Sequence, residues 1–169
     1  MLDRCYFTFL SVLGYNCRGE ITTEGKIITE MQYPFSILEH PSDLGIEAYG
    51  KTLAEAFENA AKGLISIILD SATIKSSESR TVYLSGGNYH QLFVKWLSEV
   101  LYLYDGQHFV GGEFMIHELT PNELKASIVG ETFSAAKHQT RLDVKAVTYH
   151  QLFIHQADDG CLVRVYLDV

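Results

Sequence analysis

Two aspartates stand where a carboxylate could bind a ligand outside regular structure. Asp43 lies in the segment H-P-S-D-L-G at residues 40–45, in which proline and glycine favour a turn. Asp168 is the penultimate residue and is followed by Val169, whose terminal carboxylate would add a second anion beside it. Hard cations such as Ca²⁺ and Mg²⁺ prefer oxygen ligands of this kind. The chemistry that these residue types could carry is therefore the binding of a divalent cation.

Each aspartate also fits a structural role. Aspartate is common in turns because its side chain accepts hydrogen bonds from nearby amides, so Asp43 alone is a weak sign of a site. In the run of residues 161–168, strand alternation places Asp168 on the same side as Arg164 and opposite three aliphatic residues. Its carboxylate can then leave the core face, although an ion pair with Arg164 is the simpler interpretation. The residues by themselves leave both interpretations open.

The other polar residues form no recognisable catalytic motif. The seven histidines lack the i, i+4 helical pairing of zinc hydrolases, and no phosphate-binding loop or nucleophile elbow is present. His40 adjoins the predicted turn, where a hydrogen bond is favoured over metal ligation. Lys137, His138, Lys145 and His150 form a polar group, but alternation places Lys145 and His150 on opposite faces of a strand. They cannot all serve one site.

The charge of the chain restricts the class of its partners. The formal net charge is −8, and the 17 acidic and 10 basic residues after Glu30 alone give −7. Proteins that bind nucleic acid by themselves usually carry a basic patch, so autonomous RNA binding is disfavoured. An acidic body suits a cation or a basic protein partner. The three cysteines lack paired spacing, which favours a reducing cytoplasm, and no apolar run approaches the length of a membrane span.

The hydrophobic periodicity predicts an α+β domain with two helices. Thr52 with Glu55, and Asn88 with Gln91, have the spacing of helix N-caps, and apolar stripes with helical spacing follow each of them. Alternation and turn residues predict strands at residues 35–38, 46–49, 81–84, 109–117, 123–130, 144–154 and 161–167. We expect the two helices to pack on a largely antiparallel or mixed sheet. The order strand then helix occurs twice and suggests an internal pseudo-repeat.

The first 30 residues are treated separately. Arg4 and the apolar residues 5–13 resemble a short secretory signal, but a convincing cleavage site of small residues is missing. The favoured interpretation is a loosely attached or disordered extension, or an early start codon, at residues 1–30. The domain itself is then expected at residues 31–169.

Five blocks of the sequence together resemble the archease family. Residues 40–45 resemble its opening motif, commonly H-T-A-D, although Pro41 and Ser42 depart from it. Residues 53–61 and 96–103 resemble the two helices of the family, and Gly130, Glu131, His138 and the stretch V-K-A-V-T-Y-H at residues 144–150 resemble its later segment. Residues 164–169, R-V-Y-L-D-V, resemble its end. The resemblance runs from about residue 33 to residue 169, with order and spacing kept.

The resemblance implies a metal-binding activator of an RNA ligase. The family's ligand positions fall on Asp43, Asp168 and Val169, with Ca²⁺ as the expected ion and Mg²⁺ or Mn²⁺ as alternatives. The implied partner is the RtcB-type RNA ligase of tRNA splicing, which joins RNA ends through a guanylylated histidine. The ligase would bind GTP and RNA, and this chain would not itself be an enzyme. Partner contact or support of the ligands is the expected role of five residues: His40, Lys137, His138, Lys145 and His150.

Two other functions stay open. A stand-alone metal-dependent hydrolase would hold its ion on Asp43 and Asp168, with His150 or Lys145 assisting. A chaperone-like interaction module would remodel a partner without needing the metal or the aspartates. Activity of the purified chain without a ligase would distinguish the first, and variants of the aspartates would distinguish the second.

Overall fold

The strands pair in two separate antiparallel sheets. The computed structural model describes residues 34–39 and 43–169, and all statements below concern these residues. The strands are β1 (Phe35–Glu39), β2 (Leu44–Gly50), β3 (Glu78–Ser85), β4 (Phe109–Leu119), β5 (Glu123–Thr132), β6 (Ala146–Ala157) and β7 (Gly160–Asp168). One sheet has the order β1-β2-β7-β6, and the other has the order β3-β5-β4. The α+β class is confirmed, whereas the division into two sheets was not predicted, and nothing in the topology confirms the pseudo-repeat.

Both helices begin at the caps that the sequence predicts. In front of α1 (Leu53–Ile68), the Thr52 hydroxyl accepts a hydrogen bond from the Glu55 amide at 3.2 Å. The Glu55 carboxylate accepts from the main-chain N–H of Lys51 at 2.7 Å, so two free amides are satisfied. In front of α2 (Tyr89–Asp105), the Asn88 side chain accepts from the amide of the third helical residue at 2.9 Å. These local bonds fix where each helix starts.

A single core joins the helices to the inner faces of both sheets. Trp96 of α2 is fully buried, and its indole N–H donates to the carbonyl of Phe57 in α1 at 3.0 Å. The ring of Trp96 meets Phe114 of β4 edge to face at 6.1 Å. Val163, Val165 and Leu167 of β7 are fully buried in the same core. The predicted alternation of β7 is thereby confirmed, and it leaves Asp168 exposed.

The edge of the three-stranded sheet is closed by a helix. The carboxylate of Glu58 in α1 accepts a hydrogen bond from the main-chain N–H of Ile116 in β4 at 2.7 Å. An unpaired amide on an edge strand is thus satisfied by a side chain, which protects the strand from pairing with another chain. Within the part of the chain that the structure describes, no helix has the length and apolarity needed to cross a membrane.

Candidate metal centre

The pairing of β2 with β7 brings Asp43 and Asp168 together. Leu44 of β2 is the partner of Leu167 of β7. Asp43 directly precedes Leu44 and Asp168 directly follows Leu167, so the two aspartates lie at the same end of the antiparallel ladder. Residues directly opposite in an antiparallel pair lie about 4.5–5.5 Å apart between Cα atoms and point to the same face. Because Leu44 and Leu167 contribute to the core, alternation directs both aspartates to the outer face of the sheet.

Val169 adds a main-chain oxygen beside these carboxylates. Its side chain packs against the hydrophobic core, so its backbone is held in place. The Lys145 ammonium donates a hydrogen bond to the Val169 main-chain oxygen at 2.9 Å. The Lys145 main-chain N–H donates to the carbonyl of Asp168 at 2.8 Å, immediately before β6 begins. Lys145 therefore lies at the candidate site, and its ammonium contacts Val169, one of the three expected ligands.

The simple structural interpretation of Asp168, an ion pair with Arg164, is wrong. Arg164 is the partner of Glu47 across the β2–β7 ladder, and its Nε and Nη2 donate to the Glu47 carboxylate at 2.8 and 2.5 Å. This hydrogen-bonded carboxylate raises the pKa of Arg164. The same carboxylate also accepts from the Tyr49 hydroxyl, and burial together with Glu47 raises the pKa of Tyr49 to about 12. Arg164 is thereby committed to Glu47.

Within the described residues, neither aspartate has an ion-pair partner. Asp43 is partly buried and Asp168 is exposed. Two neighbouring carboxylates that lack a direct ion-pair partner repel each other, and a shared cation would relieve this repulsion. The donor set is composed of hard oxygens, which suits Ca²⁺, Mg²⁺ or Mn²⁺.

The same donors would leave a bound cation incompletely coordinated. In the described part of the chain, no three side chains of His, Cys, Asp or Glu converge as a metal-binding group. Two carboxylates and one main-chain oxygen are fewer than the roughly six to eight ligands that Ca²⁺ takes. The residues therefore fit a cation whose remaining ligands come from water or from another molecule.

His150 lies near this end of the sheet in an irregular part of β6. Thr148 pairs with Tyr166 and Phe153 pairs with Arg164, so the ladder contains a bulge in between. Within it, Gln151 adopts a φ of 47°, which is uncommon for a residue other than glycine. The ring of His150 meets the ring of Tyr166 edge to face at 5.9 Å. The bulge interrupts the simple alternation from which opposite faces were predicted for Lys145 and His150.

Lys137 and His138 gather around Glu131 of the three-stranded sheet. The Lys137 ammonium and the main-chain N–H of Lys75 donate to the Glu131 carboxylate, and they lower its pKa to about 2. His138 is buried, and its Nδ1 accepts from the Ser134 amide at 3.0 Å. Its Nε2 faces Glu131 at 3.3 Å and completes this network. These contacts join β5 to the following loop, and a role of Lys137 or His138 toward a partner stays a prediction.

Two expectations lie outside the described residues. One concerns His40 in the segment at residues 40–42, and the other concerns the extension at residues 1–30. Sequence reasoning also missed two carboxylates that organise the polar contacts. In the sequence, Glu131 stands out only as part of the family pattern, and nothing distinguishes Glu47 from other acidic residues. The role of Glu47 follows only from the register of β2 against β7, which makes it the partner of Arg164.

Comparisons with known proteins agree on one family over the described domain. The model of the archease protein family matches residues 35–169. A protein archease of Methanosarcina acetivorans is 35% identical over 139 residues, which cover 80% of this chain and 95% of that protein. A protein archease of Saccharolobus islandicus is 39% identical over 136 residues, with 80% and 98% covered. The solution structure of Methanobacterium thermoautotrophicum protein 1598 is similar with a TM-score of 0.67 and 30% identity, covering 80% of this chain and 99% of that one.

Proposed function

Since the chain belongs to the archease family, we propose that it is an accessory protein that activates an RNA ligase of the RtcB type. The family assignment supports an accessory role. The finer proposal is that the chain promotes guanylylation of the ligase and its multiple turnover. The observation that carries it is the meeting of Asp43 and Asp168 at one end of the β2–β7 ladder, beside the main-chain oxygen of Val169.

The arrangement suits a protein that presents its ligands to a partner. Asp168 is exposed at the end of its strand, and the site supplies too few ligands to enclose a cation. A bound divalent cation would supply positive charge to offset the triphosphate of GTP during nucleotidyl transfer. The role of this chain's residues is to hold two carboxylates side by side at an accessible edge. Leu44 and Leu167 fix their spacing by packing in the core behind them.

The acidic charge of the domain supports the same division of labour. A ligase that binds GTP and RNA must offer basic groups, and a net charge of −7 after Glu30 favours association with a basic surface. Guanylylation is thus assigned to the ligase, and docking at its active site to this chain.

The proposal is tested by measuring guanylylation of an RtcB-type ligase with GTP, with and without the full chain. We expect the chain to raise the rate of guanylylation and the number of RNA joining events per ligase molecule. The chain without ligase should release no product from GTP or RNA. A ligase that is equally active with and without the chain would contradict the proposal, and hydrolysis by the chain alone would favour the metal-dependent hydrolase instead.

A further inference from the structure

Lys145 is placed so that its charge meets the candidate ligands. The preceding residue, Val144, is buried in the core, and the main-chain N–H of Lys145 donates a hydrogen bond to the carbonyl of Asp168 at 2.8 Å. These contacts fix its backbone on the N-terminal side of the Cα atom, and β6 begins at the next residue, Ala146, which pairs with Asp168. From this fixed base the side chain returns to the same strand end and donates to the Val169 oxygen at 2.9 Å. The main-chain N–H of Lys145 thus bonds to Asp168, and its ammonium bonds to Val169.

The position of Lys145 has a direct consequence for any cation held there. An ammonium that donates to the Val169 oxygen takes up one of the two lone pairs of that oxygen, so it lies where it would compete with a metal ion bound there. A positive charge a few ångströms away also repels a divalent cation, although it does not form an ion pair with Asp43 or Asp168 among the described residues. A lysine side chain can give way to a metal ion because its flexible stem lets its compact charge move aside.

We propose that Lys145 is a tethered counter-cation that leaves the Val169 oxygen when a divalent cation binds, and that it thereby keeps the affinity of the site low. This inference rests on the proposed metal site of Asp43, Asp168 and Val169. In the absence of metal, the ammonium offsets part of the negative charge at the strand end. When the metal binds, the ammonium is displaced but stays close, and its repulsion favours release of the ion. Lys145 is a positioning and affinity-setting residue and is not itself a ligand.

The test is isothermal titration of the full chain with Ca²⁺, and separately with Mn²⁺, in wild type and in Lys145→Met. Removing the tethered charge should lower the dissociation constant about tenfold at low ionic strength, because a single and a double charge several ångströms apart repel even in a high dielectric. The difference should shrink as salt is raised, since exposed charges are screened. Lys145→Arg retains the charge and should stay within about twofold of wild type.

Lys95→Met is the matched control. Lys95 is also exposed and donates its ammonium to a main-chain oxygen, that of Ser85 at 2.7 Å, but on α2 and β3. Lys95→Met changes the net charge by the same amount as Lys145→Met. Because Lys95 does not contact the candidate ligands, Lys95→Met should leave the dissociation constant unchanged. Circular dichroism checks that each variant is folded.

The possible outcomes separate this inference from the proposed function. Tighter binding in Lys145→Met, without a change in Lys95→Met, supports it. Wild-type binding that requires Asp43 and Asp168 but is unaffected or weakened by Lys145→Met overturns the role of Lys145 and leaves the metal site standing. Equal tightening in Lys145→Met and Lys95→Met also overturns it, since net charge would then be the cause. If neither wild type nor Lys145→Met binds Ca²⁺ or Mn²⁺, both the role of Lys145 and the proposed metal site are overturned.

Discussion

Neutralising one of the two clustered aspartates should stabilise the metal-free protein. Asp43 and Asp168 lie at the same end of the β2–β7 ladder without an ion-pair partner among the described residues. Replacing either one by asparagine keeps the shape of the side chain and removes one of the two repelling charges. An aspartate whose carboxylate stabilises a turn would respond in the opposite direction. The sign of the change therefore separates a site from a structural cap.

The expected magnitude follows from Coulomb's law. Two unit charges about 5 Å apart repel by roughly 0.8 kcal/mol at a dielectric constant of about 80 and by roughly 3 kcal/mol at about 20. Because Asp168 is exposed and salt screens exposed charges, the lower end applies, about 0.5–1 kcal/mol. For a chain of this size that corresponds to a rise in melting temperature of about 1–4 °C.

The assay is urea unfolding at low ionic strength in a chelating buffer. Asp43→Asn and Asp168→Asn should each raise the free energy of unfolding, and the double variant should gain no more than the better single variant, because one repulsion is removed only once. Glu123→Gln, which neutralises an exposed carboxylate at the start of β5, should have no such effect. Destabilisation by both single variants, or fully additive gains, would refute the idea of two opposed carboxylates.

Three further predictions concern the framework around the site. The pKa of Glu131 is lowered from 4.5 to about 2, so the contribution of its carboxylate to stability should be complete above pH 4.5 and lost as the pH falls toward 2. The free energies of unfolding of wild type and Glu131→Gln, measured with urea across this range, should therefore converge at the acidic end. Trp96→Phe should lower the free energy of unfolding by about 2–3 kcal/mol, measured with guanidinium chloride, because the hydrogen bond to Phe57 and buried volume are both lost. Gly45→Ala should cost about 1–2 kcal/mol in the same assay, because the new Cβ would lie 3.0 Å from both the Cβ of Leu38 and the ring of Tyr166. An unchanged midpoint would show that both neighbours give way freely.

The local features of the fold were accessible from the sequence. The caps at Thr52 and Asn88 depend on residues at most three positions apart, so their side chains and spacing were sufficient to predict both helix starts. The core face of β7 was predicted because alternation is a property of a single strand, and Val163, Val165 and Leu167 follow it.

The features that were missed depend on contacts between distant segments. Arg164 bonds to Glu47 and not to Asp168, which is nearer in sequence, because the register of β2 against β7 places the Glu47 carboxylate directly opposite it. Periodicity within one strand contains no information about that register. The bulge in β6 around Gln151 and the division of the strands into two sheets are likewise set by pairing.

The candidate site was predicted only in part by the residues themselves. Composition and spacing left Asp43 and Asp168 open between structural and functional roles, and the family resemblance favoured the second. The structure adds that the two lie at one end of one ladder and that Lys145 contacts the third expected ligand, Val169. The contact of Lys145 was not accessible from the sequence because a lysine side chain has many rotamers and no fixed direction.

The most direct measurement is the initial rate of guanylylation of an RtcB-type ligase in the presence of wild type, Asp43→Asn or Asp168→Asn, at equal concentrations and with folding verified. Lys95→Met and Glu123→Gln serve as controls for the loss of a surface charge of either sign. We predict that wild type and both controls stimulate the ligase, and that both aspartate variants lose most of the stimulation while remaining folded. Full stimulation by folded Asp43→Asn and Asp168→Asn would contradict the central claim that this carboxylate pair is how the chain acts on its partner.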